Sequence, residues 1–269
     1  MTLKKIYNNN ALLMNLVFGF FPISFVLGNL IININLLLFC CLGIFYLKSK
    51  ILTTKFDFPI KIIFLFFFAV LLSTLLSFIR SLYLQEYEDY ELSKLIKSIA
   101  FLRFYLLLII IYLLNKNGIL NFKYFFLFAT CSTFVVSLDI IYQYIYGVNT
   151  IGFKGLALHN SGFFGDELIA GGFIKNFSFF SIFFVTFLLR DKKVTKFLFT
   201  IFTVCILGTG ILLSGNRMPL VLFFLGLFLI FLFSDNLKKI VVISILGLLF
   251  IFGSIFFLDN DLKNTYVKF

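Results

Sequence analysis

The sequence has no Trp, three Pro, one His and four Cys, and only 13% of its 269 residues are charged. Soluble domains carry about 25% charged residues. With 61% of the chain hydrophobic, a soluble fold of this size would have too little polar surface to show to water. The shortage of charge therefore excludes a soluble globular domain and a disordered chain. Cys40, Cys41, Cys131 and Cys205 all lie in apolar runs without ligand spacing. They read as small packing residues, which excludes a disulfide scaffold. A metal-ligand cluster, a nucleotide-binding loop and an internal repeat are also missing, so neither a metal nor a cofactor is expected. Without Trp, the interfacial aromatic role falls to Tyr, and Tyr46, Tyr83, Tyr112, Tyr124 and Tyr146 sit near the ends of apolar runs.

What the chain does have is continuous apolar sequence, including 43 Phe. Outer-membrane barrel strands alternate polar and apolar residues, so a barrel is excluded too. A spanning helix needs about 20 apolar residues. Nine candidate runs meet or approach that: Ala11–Leu27, Leu30–Leu47, Ile62–Ile79, Ser98–Leu114, Phe125–Ile145, Leu168–Leu189, Phe197–Leu213, Met218–Phe233 and Ile240–Leu258. Lys4 and Lys5 before the first run resemble a signal peptide, but no small-residue cleavage site follows, so the run is read as a first membrane helix. Gly28-Asn29 must turn tightly to separate the first two runs. The expected fold is an all-α integral membrane protein, a polytopic bundle of about nine transmembrane helices.

Charge tests that topology. With the N-terminus inside, 14 of the 23 cations fall on inner segments and seven on outer ones, while eight of the twelve acids lie outside. That satisfies the positive-inside rule and places the C-terminus outside. The net charge of +11 is thus a topology signal, and no nucleic-acid partner is expected. Two outer loops are long. Residues 80–97 carry Glu86, Glu88, Asp89 and Glu91, then Leu92, Leu95, Ile96 and Ile99 at helical spacing, an expected interfacial lead-in to the next span. Residues 146–167 carry Gly147, Gly152, Gly155, Gly162 and Gly165 together with the single histidine, His159.

Ionisable groups inside a membrane are costly and face a cavity or a partner. Three lie within the spans: Arg103, Asp139 and Lys175. Asp139 and Gln143 are four apart and share a helix face. Two readings of Asp139 stand side by side: an internal ion pair with Arg103 or Lys175 that holds the bundle, or a functional role. Arg217 sits in the short turn Ser214-Gly215-Asn216-Arg217-Met218-Pro219, with Asn216 expected to cap the following helix. The free N–H groups of that helix start and the guanidinium together make an anion site suited to phosphate. The alternative is an arginine that snorkels to lipid headgroups. Asp166 or Glu167 is expected to cap the helix after the glycine-rich loop. His159 is either a solvated loop residue or a base or phosphate ligand, with Lys154 nearby in sequence.

Three segments occur in a suggestive order: Ser137-Leu138-Asp139-Ile140-Ile141-Tyr142-Gln143-Tyr144-Ile145-Tyr146-Gly147, then Ser161-Gly162-Phe163-Phe164-Gly165-Asp166-Glu167-Leu168-Ile169-Ala170-Gly171-Gly172, then Leu213-Ser214-Gly215-Asn216-Arg217. Together they resemble the O-antigen ligase and polymerase family of bacterial inner membranes. The likeness covers residues 137–233 of one transmembrane helical domain over 1–269, with generic helices over 1–136. It implies a metal-independent glycosyltransferase of lipopolysaccharide biosynthesis. Such an enzyme acts at the periplasmic face on glycans carried by undecaprenyl diphosphate, with lipid A-core or another lipid-linked repeat unit as acceptor. By the resemblance, Arg217 matches the arginine that binds the donor diphosphate, with Lys154, His159, Asp166 and Glu167 nearby in the binding region. Relatives usually carry an arginine where this chain has His159. They also carry a large periplasmic segment after a helix like Ile240–Leu258, where Asp259–Phe269 follow here. A truncated or partial version is expected on that ground, with the catalytic residues unassigned. The alternatives are a non-catalytic binder or flippase-like transporter of lipid-linked glycans, or an inactive fragment.

Overall fold

A computed structural model describes residues 3–48, 56–83, 89–155 and 159–259, together with Lys263 and Tyr266. The side chains of residues 3–10 and 89–91 are outside that description, as are Glu86 and Glu88 altogether. In hydrocarbon a backbone must satisfy its own polar groups, and an unbroken apolar run does so as a helix. Each of the nine runs is helical among the described residues. The elements are α1 (Leu3–Gly19), α2 (Phe21–Val26), α3 (Asn29–Leu47), α4 (Phe58–Tyr83) and α5 (Asp89–Lys116). They are followed by α6 (Phe122–Tyr146), α7 (Ala170–Leu188), α8 (Lys193–Leu213), α9 (Arg217–Phe233) and α10 (Lys238–Leu258). Seven helices are long and apolar enough to cross a membrane; Ala11–Val26 and Arg217–Phe233 are apolar but shorter. Among the described residues the one extended pairing is the bridge between Val148 and Lys154.

Local chemistry sets the breaks. Pro22 lies in the first turn of α2 and cannot donate to the turn before it, so the first apolar run bends at Phe20. Gly28 has φ +101, the left-handed conformation that ends α2 and makes the expected turn into α3. The lead-in expected before Ser98 is continuous with the span, since α5 runs unbroken from Asp89 to Lys116.

The chain packs as two compact units. The first holds residues 1–18 and 33–121. Within it Phe67 stacks on Phe101 at 4.9 Å, and the Thr74 hydroxyl donates to Ser98 Oγ at 2.8 Å, pairing α4 with α5. At one end of that pair Asp57 Oδ2 accepts from the Tyr112 hydroxyl at 2.5 Å, and Oδ1 accepts from Lys116 Nζ at 3.2 Å. These two donors hold the Asp57 carboxyl below its ordinary value. A carboxyl depressed in the fold stabilises it above the unfolded carboxylate pKa and loses that contribution as pH falls through the folded one. Spin labels on Phe56 and Asn117 are expected to broaden their separation below the carboxylate range, and at neutral pH in Asp57→Asn. Invariant distances would mean the pin does not hold the pair.

The second unit holds residues 19–32 and 122–269. Its central helix is α8, packed against α6, α7, α9 and α10. Lipid supplies no hydrophobic drive between helices, so small residues that let backbones approach decide such contacts. A Cβ at Gly210 would meet Ser137 Cβ at 2.9 Å and its Cα at 3.1 Å; one at Gly208 would meet Leu248 at 2.6 Å. Between α6 and α7 the buried hydroxyls of Thr133 and Ser181 bond at 2.9 Å, a contact worth about 0.6 kcal/mol in a membrane. Gly210→Val therefore pushes on backbone and is expected to cost about 1–3 kcal/mol. Gly253→Ala, which meets nothing within 4 Å, should be neutral or slightly stabilising. Thermal unfolding in detergent checks the pair, and equal melting temperatures would refute this packing role.

Candidate functional site

The chemistry gathers at one end of the second unit. Because α6 to α10 alternate in direction, that end collects the C-termini of α6, α8 and α10 and the N-termini of α7 and α9. The glycine-rich loop lies there too. Asp139 stands seven residues before the end of α6, about 10 Å along the helix, and is 3% exposed. Its Oδ1 accepts from the Thr150 backbone N–H at 3.0 Å and from the Thr150 hydroxyl at 2.6 Å. Its Oδ2 accepts from Asn149 Nδ2 at 3.3 Å. The expected ion pair is thus replaced: loop donors satisfy the carboxylate, and Lys175 donates to Asn176 instead. Arg103 belongs to the first unit, where its exposed guanidinium lies 4.9 Å from the Phe104 ring centre.

Gln143, fully buried, extends the network by one helix turn. Its Nε2 donates to Phe153 O at 3.1 Å and its Oε1 accepts from the Gly162 N–H at 2.8 Å. Asn149 folds the intervening chain: its Oδ1 accepts from the N–H groups of Ile151 and Phe153, and its Nδ2 also donates to Gly162 O at 2.8 Å. Residues 147–155 thereby form a small hairpin against α6. Gly162 has φ +56, and a Cβ there would stand 3.2 Å from Asp139 Oδ2. Only glycine fits that backbone so close to the carboxylate. The shared face of Asp139 and Gln143 is therefore the anchor of the loop.

The loop's other candidates fall outside this network. Lys154 and Asp166 are exposed, as is Glu167, and neither acid caps a helix. Helix α7 begins at Ala170, its N-cap position is Ile169, and no acid stands in its first turn. His159 is half-buried, and its Nδ1 has no hydrogen-bond partner among the described residues.

Arg217 opens α9 and is exposed. Asn216 occupies the N-cap position with an extended backbone, but its side chain does not cap. Its Nδ2 donates to Leu168 O at 2.9 Å, tying the start of α9 to the start of α7. Gly171 reinforces the tie, since a Cβ there would meet Ser214 Oγ at 2.3 Å. Two parallel helix N-termini are so brought to one place, and both carry partial positive charge. Beside them lies a cavity of about 620 Å³. Its walls are apolar, chiefly Phe25, Phe164, Phe173 and Phe177, and its polar rim is Asn176, Asn216 and Arg217. An anionic head joined to an apolar tail suits this arrangement.

The residues after α10 return to the same place. The Tyr144 hydroxyl donates to Asp259 Oδ2 at 3.0 Å, and the Tyr266 hydroxyl donates to Leu212 O at 2.7 Å. Burial pushes the Tyr266 phenol up, while the neighbouring Arg217 charge pulls it down. The phenol stays protonated and able to donate to the turn that carries Arg217.

These features define the class: a multi-pass, all-α membrane protein with seven helices long and apolar enough to span. Compared with known proteins, the chain matches no family model, no curated protein and no solved structure.

Asp139→Ala takes away the acceptor of the Thr150 N–H and hydroxyl and leaves Asn149 Nδ2 only its bond to Gly162 O, where a hydrogen bond to a charged group is worth about 1.5–3 kcal/mol. Hydrogen exchange over residues 147–155 is expected to accelerate in that variant while α8 keeps its protection. Unchanged exchange in the hairpin would refute the anchoring role.

Proposed function

We propose that the protein is a glycosyltransferase of the O-antigen ligase and polymerase type. In this reading its nine apolar helices span a bacterial inner membrane with the N-terminus in the cytoplasm. The α7–α9 end then opens at the periplasmic face. The donor is a glycan on undecaprenyl diphosphate, and the acceptor is lipid A-core or a second lipid-linked unit. One observation carries the reading: Arg217 stands at the rim of an apolar cavity beside two helix N-termini. Departure of a diphosphate develops negative charge, and preorganised cations and N–H groups stabilise it. The resemblance of residues 137–233 to that family supplies the glycan chemistry.

A second reading is favoured by a separate observation. No carboxylate or histidine lines the cavity among the described residues, and glycan transfer needs a base to activate the acceptor hydroxyl. A binder or flippase-like carrier of the same lipid-linked glycan needs none.

Arg217→Ala is expected to lower glycan transfer by about 10²–10³-fold with unchanged abundance in the membrane. Arg217→Lys should recover part of it, since charge returns without the bidentate fork. The readout is glycan length and attachment on gels. Unaltered patterns in both variants would sink the transferase reading. Movement of a lipid-linked glycan across liposomes without any new glycosidic bond would favour the carrier.

A further inference from the structure

A second cation stands beside the cavity, bonded to one of its lining side chains. Lys175 lies on α7 five residues after its start, about 8 Å along the helix. Its hydrogen-bond partner among the described residues is the side chain of Asn176, and Asn176 lines the cavity. A charged ammonium inside an apolar span is costly without a partner. No carboxylate meets this one among the described residues, because Asp139 is satisfied by the loop. Helical side chains lean towards the N-terminus of their helix. Lys175 therefore leans back towards the level at which Asn216 and Arg217 stand.

The two adjacent glycines of α7 behave differently. Gly171 is filled from behind by Ser214, as described above. Gly172 lines the cavity, and a Cβ there would meet nothing within 4 Å. It lies three residues before Lys175, one turn nearer the mouth and on the same side of the helix. The missing side chain is not demanded by packing, so it leaves open space in the cavity that Arg217 lines.

We infer that Lys175 with Asn176 is the inner half of a two-point clamp for a lipid-borne diphosphate, Arg217 being the outer half. Gly172 supplies the gap that admits the phosphates, and Phe25, Phe164, Phe173 and Phe177 receive the apolar chain. This rests on the reading of the cavity as a diphosphate-lipid site, and it adds what discriminates two phosphates from one. A monophosphate engages Arg217 alone; a diphosphate engages both cations.

The test uses the full chain in phosphatidylcholine nanodiscs, with binding read by native mass spectrometry. The probes are a long-chain polyprenyl diphosphate and the matching monophosphate, with phosphatidylglycerol as competitor. The diphosphate should bind about tenfold tighter, the worth of one charge-assisted hydrogen bond. Lys175→Gln should reduce the diphosphate to the monophosphate's affinity and leave the monophosphate unchanged. Arg217→Ala should weaken both. Gly172→Leu should block both while keeping or raising the melting temperature, because it fills open space and replaces glycine in a helix. Equal affinity of the two phosphates for the unaltered chain overturns the clamp, as does an unchanged ratio in Lys175→Gln. Phosphatidylglycerol competing as well as the diphosphate also overturns it and makes the cavity a headgroup site. An intact ratio together with absent glycan transfer overturns the transferase reading and leaves the clamp standing.

Discussion

A carboxylate placed inside an apolar bundle has to be met by donors, and the end of the second unit takes its form from how Asp139 meets that demand. No cation is recruited. A backbone N–H, a hydroxyl and an amide come down from the following loop instead. Irregular backbone near a membrane is tolerated where its polar groups are paired within the protein. The loop satisfies the acid, and the acid satisfies the loop. Gln143 repeats the arrangement one turn further along, so two side chains of one helix face hold the chain at Asn149, Thr150, Phe153 and Gly162.

Because neutral donors meet Asp139, it recruits neither Lys175 nor Arg217 from the same end. Arg217 lines an apolar cavity, Lys175 bonds Asn176 at its edge, and Asn216 spends its amide on joining two helix starts rather than on capping its own. Each choice raises the positive potential at the cavity mouth. Helix N-termini, a guanidinium and an ammonium act in one direction. The segment after α10 adds Tyr266, whose bond to Leu212 O braces the turn that presents Arg217.

Small residues divide into two kinds by what surrounds them. Gly171, Gly208 and Gly210 are sites of close helix approach, where an added methyl would strike a neighbour. Gly172 is open, and its smallness serves the cavity. Adjacent identical letters thus have unlike meanings, because successive helical residues face about 100° apart.

Much of the fold was legible in the sequence. The nine apolar runs are helical, the turn at Gly28 is where a remnant too short to span required it, and the shared face of Asp139 and Gln143 is real. Run length and 3.6-residue periodicity decide such features locally, since hydrocarbon forces backbone pairing within each segment. The partners of polar side chains were not legible. Asp139 bonds Thr150 and Asn149 instead of a lysine or arginine, Asp166 and Glu167 cap nothing, and Asn216 bonds across to Leu168. The hairpin left one sequence signal, an Asn-Thr pair two residues after Gly147, which favours side-chain turns. Tyr266 and Asn176 left none. Whether a side chain bonds its own helix or a neighbour depends on which helix ends lie side by side. Apolar sequence by itself determined that this chain spans as helices; tertiary packing alone decided which polar groups satisfy one another and which remain facing the cavity.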